Sequence, residues 1–219
     1  MPKSDPYEHQ VERYDRWFEQ NQAAYLSELA AVKSSLPRFG RGLEVGVGTG
    51  RFAAPLGVAF GLDPSVAMME AARQRGVTCV RGVAEWLPFR DGAFDLVLMV
   101  TVAFLLSDKM AAFREAARVL APGGAVVVGF IDRESPVGRR YQREKGESEG
   151  EGGGEGGFYG EARFLAPEEM AALLKAAGFQ DLAFVQTLSC EPEAMTEVEA
   201  ARAGYGTGSF VVVRGKRGR

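Results

Sequence analysis

The sequence predicts a doubly wound α/β protein: a mostly parallel sheet wrapped by helices, with an antiparallel C-terminal edge strand and an N-terminal helical cap. Three observations carry that expectation. From Gly42 onward, short apolar runs alternate with longer helical patterns, the order that generates parallel strands joined by right-handed crossovers. The run from Phe94 to Val100 is nearly unbroken in its apolar character, as in a strand covered on both faces at the centre of such a sheet. Two closing strand patterns then follow one another with no helix between them, which points to an antiparallel edge.

The elements follow in chain order. Between Glu8 and Leu36 the residues Tyr14, Phe18, Tyr25, Leu29, Val32 and Leu36 recur at near-helical spacing among charged neighbours, so one or two amphipathic helices are expected, ended by Pro37. Gly42 to Val47 reads as a strand feeding a glycine turn, and Gly57 to Leu62 as a second strand ending at Asp63. Met68, Met69 and Ala72 mark a helix before a third strand at Val77 to Arg81, where Cys79 reads as a small core residue. After the central strand, a helix capped by Ser107 or Asp108 buries Met110, Phe113, Ala117 and Leu120. Ala121 to Gly124 stops it, and Ala125 to Ile131 forms the next strand. Gly146 to Gly157 is almost all Gly and Glu, a composition that buries no apolar surface and reads as a flexible surface loop. A helix starting at Pro167 and stopped by Gly178 follows, then strands at Leu182 to Leu188 and Ser209 to Arg214.

Composition narrows the class of function. The chain has 219 residues, 46% of them hydrophobic and 25% charged, with a formal net charge of -3. That suits one soluble domain and excludes collagen, disulfide-scaffold and wholly disordered chains. Slight acidity argues against a nucleic-acid partner. The uncharged run Leu96 to Leu106 falls short of the roughly 20 residues of a membrane span, and the first residues show no secretory pattern. With only Cys79 and Cys190 and no CxxC pair, a cytoplasmic location is expected, and no metal-ligating cluster stands out.

The chemistry is concentrated in Leu43-Glu44-Val45-Gly46-Val47-Gly48-Thr49-Gly50, at the carboxyl end of the first strand. Glycines there let a ligand approach the main chain, where outward-pointing amides open the next helix. Ligands of doubly wound sheets bind at that edge, so a nucleotide-like cofactor is expected. The spacing is GxGxG followed by Arg51, unlike the GxGxxG of dinucleotide sites. Asp63 closes the second strand at the same crevice, where it can accept hydrogen bonds from two ribose hydroxyls or cap the helix at Pro64.

Five motifs occur in order: Glu44 to Gly50; Gly61-Leu62-Asp63-Pro64-Ser65; Ala84-Glu85-Trp86-Leu87-Pro88-Phe89; Phe94-Asp95-Leu96-Val97; and Leu120-Ala121-Pro122-Gly123-Gly124. Together they resemble the class I S-adenosylmethionine-dependent methyltransferases, in the small-molecule branch called type 11, over roughly Gly42 to Ile131. The resemblance implies a Rossmann-like fold, S-adenosylmethionine as cofactor, S-adenosylhomocysteine as product and a small-molecule methyl acceptor as partner.

A single domain over residues 1–219 is expected, divided into a helical cap at 1–40, a cofactor-binding core at 41–135, a flexible Gly/Glu-rich insertion at 136–165 and a C-terminal helix with edge strands at 166–219. By the same resemblance, Glu44, Val45, Gly46, Gly48, Thr49 and Gly50 hold the methionine part of the cofactor, and Asp63 takes the ribose. Pro64 lies against the adenine, with Ala84 and Glu85 at its edge. Met99, Val100 and Thr101 face the cofactor's ammonium group. Val83 stands where many members carry an acid for the adenine amino group, which leaves Glu85, water or backbone to hold it.

No catalytic residue is singled out. The methyl donor is already activated, so positioning can supply most of the acceleration. Tyr14 and Trp17 are candidate lid residues near the acceptor, and Asp132, with Arg133, could orient a charged group on it. The lone His9 reads as a solvated residue at a helix start. A nicotinamide-dependent oxidoreductase and a non-catalytic cofactor-binding domain of the same fold stand as alternatives.

Overall fold

A computed structural model describes residues 10–148 and 162–218, with side chains through Glu144 in the first stretch. His9 and positions 149–157 of the Gly/Glu-rich segment lie outside the described residues. Two helices, α1 (Val11–Gln20) and α2 (Gln22–Ser35), precede the sheet. They are separate because Asn21 breaks the turn, its side-chain amide donating to the Trp17 carbonyl at 3.0 Å. Then come β1 (Gly42–Val45), α3 (Ala53–Leu56), β2 (Phe60–Asp63), α4 (Val66–Gln74), β3 (Thr78–Arg81), β4 (Phe94–Val100), α5 (Lys109–Val119), β5 (Leu120–Ile131), α6 (Pro136–Ser148), α7 (Pro167–Ala176), β6 (Phe179–Thr187), β7 (Arg202–Ala203) and β8 (Phe210–Arg217).

The eight strands form one sheet in the order β3-β2-β1-β4-β5-β8-β6-β7. The first five run parallel, and β8 enters antiparallel between β5 and β6. Strand order reverses between β1 and β4, so the crevice at their carboxyl ends is the switch point where this architecture binds ligands. β4 shows why the sheet is central. Leu96, Leu98 and Val100 pack on the face carrying α2, α3 and α6, while Val97 and Met99 pack on the face carrying α5 and α7. A strand with period-2 side chains that is apolar on both faces has no solvent side.

Four sequence expectations are corrected. Residues 136–148, assigned to the insertion, form α6, started by a turn in which Ser135 Oγ accepts the Gly138 N–H at 3.0 Å. Its Val137 and Tyr141 are buried against the core, an apolar stripe that the flanking charges hid. Ala162 and Phe164, also assigned to the insertion, are buried. Cys79 is only half-buried, because β3 is the edge strand. The helix after β2 is capped by Ser65, whose hydroxyl accepts the Met68 N–H at 3.2 Å, and not by Asp63. Of the two candidates for the α5 cap, Asp108 takes the position, accepting from Ala111 N at 2.9 Å. Among the described residues, no helix is long and apolar enough to cross a membrane.

Candidate active site

A cavity of about 670 Å³ opens at the switch point. Its floor is the carboxyl edge of the sheet, at Val45, Leu62 and Val100, and α1 lies over it with Tyr14, Trp17 and Phe18. The turn after β1 forms because Gly46 and Val47 both donate to the Leu62 carbonyl, at 2.8 and 3.0 Å. Gly46 has φ of 73°, and a Cβ there would meet Val102 Cγ2 at 2.4 Å, so only glycine fits. Gly50 has φ of 80°, and a Cβ there would press on the Cα of Ala72 at 3.2 Å, so the third glycine lets the turn close onto α4.

Asp63 is the polar centre of this wall. It is only 8% exposed, with Oδ2 accepting the Gly48 N–H and Oδ1 the Ser65 N–H, each at 2.9 Å. The carboxylate therefore fixes the glycine turn and the start of α4 while lining the cavity. Glu44 is fully buried. Burial pushes its carboxyl well above the usual range, although the Ala53 amide bonds it, and its Oε2 has no partner among the described residues.

Across the crevice, Thr101 ends β4 in a strained conformation with φ of 51°, its N–H donating to the Gly129 carbonyl at 2.8 Å. Glu85 lines the cavity with Val83 and Ala84. Its Oε1 also accepts the N–H groups of Ser107 and Asp108, at 3.0 and 3.3 Å, which anchors the start of α5.

Nine of the expected cofactor residues line this cavity: Val45, Gly46, Gly48, Asp63, Pro64, Ala84, Glu85, Val100 and Thr101. So do Tyr14 and Trp17. Glu44, Thr49, Gly50 and Met99 do not. Met99 is wholly buried among the apolar residues of the α5 face. Thr49 is also wholly buried, and its hydroxyl donates to Asp15 Oδ1 on α1 at 2.7 Å.

That contact belongs to a latch between cap and turn. Asp15 also accepts from Arg51 Nε at 3.0 Å and from an Arg75 guanidinium nitrogen at 2.6 Å. Burial raises the Asp15 carboxyl, but the hydrogen bonds from Arg51, Thr49 and Arg75 outweigh it and hold the group below its ordinary value. Arg51, unexplained by the glycine spacing, is thus a cap anchor.

Asp132 does not line the cavity. It accepts the Glu134 N–H at 2.9 Å through its side chain and the Ser135 hydroxyl at 2.7 Å through its carbonyl, so it shapes the turn into α6. Arg133 turns away to Glu169 at 2.8 Å. The cavity's other side, walled by Glu28 of α2, Phe104, and Arg140 and Tyr141 of α6, has no local sequence signature. Only the amphipathic pattern of the first helices could have pointed there.

A glycine turn, an acid at the end of β2 and a cavity at the switch point define an α/β protein with a ligand-sized site at the carboxyl edge of its sheet. The methyltransferase domain family matches residues 43–128. The structure of a Thermotoga maritima S-adenosylmethionine-dependent methyltransferase, described as a possible histamine N-methyltransferase, superposes with a TM-score of 0.90 at 46% identity, covering 97% of this chain and 98% of that one. An uncharacterised Methanocaldococcus jannaschii protein is 39% identical over 94% of this chain and 96% of its own length. A Roseiflexus demethylmenaquinone methyltransferase is 34% identical over 68% of this chain and 71% of its own. The chain belongs to the S-adenosylmethionine-dependent methyltransferases of class I.

Proposed function

We propose that this methyltransferase moves a methyl group from S-adenosylmethionine to a small molecule bound in the same cavity, releasing S-adenosylhomocysteine. The observation that carries the reading is the sharing of one cavity of about 670 Å³ by the glycine turn, Asp63 and the aromatic cap. That volume lies within the roughly 300–1,000 Å³ of small-ligand sites, which supports a compact acceptor over a macromolecule.

The residues present fit the cofactor. Asp63 is aimed into the cavity as an acceptor for ribose hydroxyls, and its carboxylate makes this wall electronegative, which suits a ligand carrying an ammonium and a sulfonium. When bound, the cofactor supplies an already activated methyl group. The chain's own part is to orient and to exclude water. Gly46 and Gly48 bring backbone against the ligand, and Pro64, Ala84 and Glu85 border the adenine end. Val100 and Thr101 present the end of β4 between cofactor and acceptor. Tyr14 and Trp17 cover the site from α1, and Asp15 holds that cover to the turn.

The test is to incubate the purified chain with S-adenosylmethionine and a library of small metabolites. Acceptor-dependent formation of S-adenosylhomocysteine, with a matching product one methyl group heavier, is expected. No turnover above the enzyme-free background with any acceptor overturns the reading.

A further inference from the structure

The wall opposite Asp63 carries a group that the reading above does not use. Glu28 lies in the middle of α2, is 3% exposed and lines the cavity. The other buried polar side chains of that helix are satisfied. Ser27 and Ser35 donate to the carbonyls of Ala23 and Ala31, at 2.7 and 3.1 Å, and Ser27 also accepts the Glu199 N–H. No described residue donates a hydrogen bond or an ion pair to Glu28. Such a carboxyl is a burden to the fold, since a buried, unpartnered acid is less favourable than an apolar side chain of the same size.

The surroundings show what kind of partner is missing. Arg140 is the cation of α6 on this wall, and it is taken by Glu193, Glu191 and Glu144 at 3.0, 3.3 and 3.7 Å. Two of those acids, Glu144 and Glu193, line the cavity as well. Trp17, Phe104, Ile131 and Tyr141 give this wall its aromatic and apolar faces, and Asn21, Arg13 and Arg16 line the cavity from the α1 side. A buried acid among aromatic faces is an environment for a compact cation, which gains both the charge pair and the ring quadrupoles.

We propose that Glu28 is the residue that selects the methyl acceptor, by receiving a basic nitrogen of a small amine or imidazole compound. The proposal rests on the reading of the cavity as a methyltransferase site. Burial holds the Glu28 carboxyl up to about 8, so near neutral pH it is largely protonated. Entry of a cationic amine replaces that proton, and binding releases it to solvent. The other titratable groups around this wall are Tyr25 on α2, Arg13 and Arg16 on α1, Arg140, Tyr141 and Glu144 on α6, and Glu193. Burial moves both tyrosines upward, Tyr141 to about 12, so neither titrates near neutral pH.

The test is isothermal calorimetry on the full chain saturated with S-adenosylhomocysteine. Phenethylamine, imidazole-methylamine and a short aliphatic diamine are titrated, each beside the alcohol of the same skeleton, at pH 7 in buffers of different ionisation enthalpy. At least one amine is expected to bind tenfold or more tightly than its alcohol, with release of close to one proton per site. Glu28→Gln is expected to abolish both the preference and the proton release, with S-adenosylhomocysteine affinity and folding intact. Amines no better than alcohols, or a preference that survives in Glu28→Gln, overturn the proposal. Failure of S-adenosylhomocysteine to bind at all is a different result, which removes the underlying reading and this inference with it.

Discussion

The sheet side and the helical side of the cavity satisfy their charged groups in opposite ways. On the sheet side, both oxygens of Asp63 take backbone N–H groups, from Gly48 and Ser65, so the carboxylate is ordered before any ligand arrives. On the helical side, Glu28 is equally sequestered yet has no donor among the described residues. Preorganised acceptors suit a ligand whose chemistry never changes, because nothing must rearrange on binding. An unpartnered acid suits a site whose occupant brings the counter-charge. The contrast separates the wall proposed for the cofactor from the wall proposed for the acceptor.

The hardest blow to the sheet side is Gly46→Ala. With Val102 Cγ2 2.4 Å from the new Cβ and φ at 73°, the turn must shift. Affinity for S-adenosylhomocysteine is expected to fall more than a hundredfold, and stability to drop by about 1–3 kcal/mol, read by calorimetry and thermal melting. Adding Val102→Ala relieves the contact and is expected to restore part of the stability. Asp63→Ala comes next, weakening S-adenosylhomocysteine by about 1.5–3 kcal/mol, the range for hydrogen bonds to a charged group. An unchanged dissociation constant in Asp63→Ala removes that residue from the ribose.

Glu28→Gln breaks the comparison from the other side, because here the substitution stabilises. The unfolded carboxyl ionises near 4.5 and the folded one near 8. The unfolded state therefore loses its proton first, and wild-type stability declines as pH rises through that window. The glutamine variant does not decline in this way, so its advantage grows from about pH 4.5 and levels off above about 8, reaching at most a few kcal/mol. Denaturant melts across this range read the effect, and a flat difference between the two proteins would contradict it.

The smallest effect is expected at the latch. Asp15→Ala strips Thr49, Arg51 and Arg75 of a shared acceptor and is expected to lower stability by about 1–2 kcal/mol and cofactor affinity only a few-fold. Because the Asp15 carboxyl is held below its ordinary value of 3.8, its contribution is full above about pH 4 and is lost as pH falls further.

The same two walls were unequally legible in the sequence. The sheet side is written in local patterns: a strand, then Gly46, Gly48 and Gly50, then an acid at the end of the next strand, each set by backbone geometry within a few residues. β4 and β5 were equally plain, because strands buried on both faces must be apolar throughout. The helical side depends on contacts between distant segments. Glu28 looks like any surface acid on an amphipathic helix until α6 and the turn at Pro192–Ala194 close around it. Residues 136–148 read as insertion because Arg, Gln and Glu dominate them, although Val137 and Tyr141 are enough to seat a helix. Asp132 shows the converse: an acid at the correct edge of the sheet, spent on a local turn.

The measurement that bears most directly on the account is calorimetric titration of S-adenosylhomocysteine into the wild-type chain beside Asp63→Ala and Glu28→Gln. Saturable one-to-one binding is predicted for the wild type, with affinity weakened in Asp63→Ala and unchanged in Glu28→Gln. Absence of binding to the wild type at millimolar ligand, or equal losses in both variants, would contradict the division of the cavity into two walls.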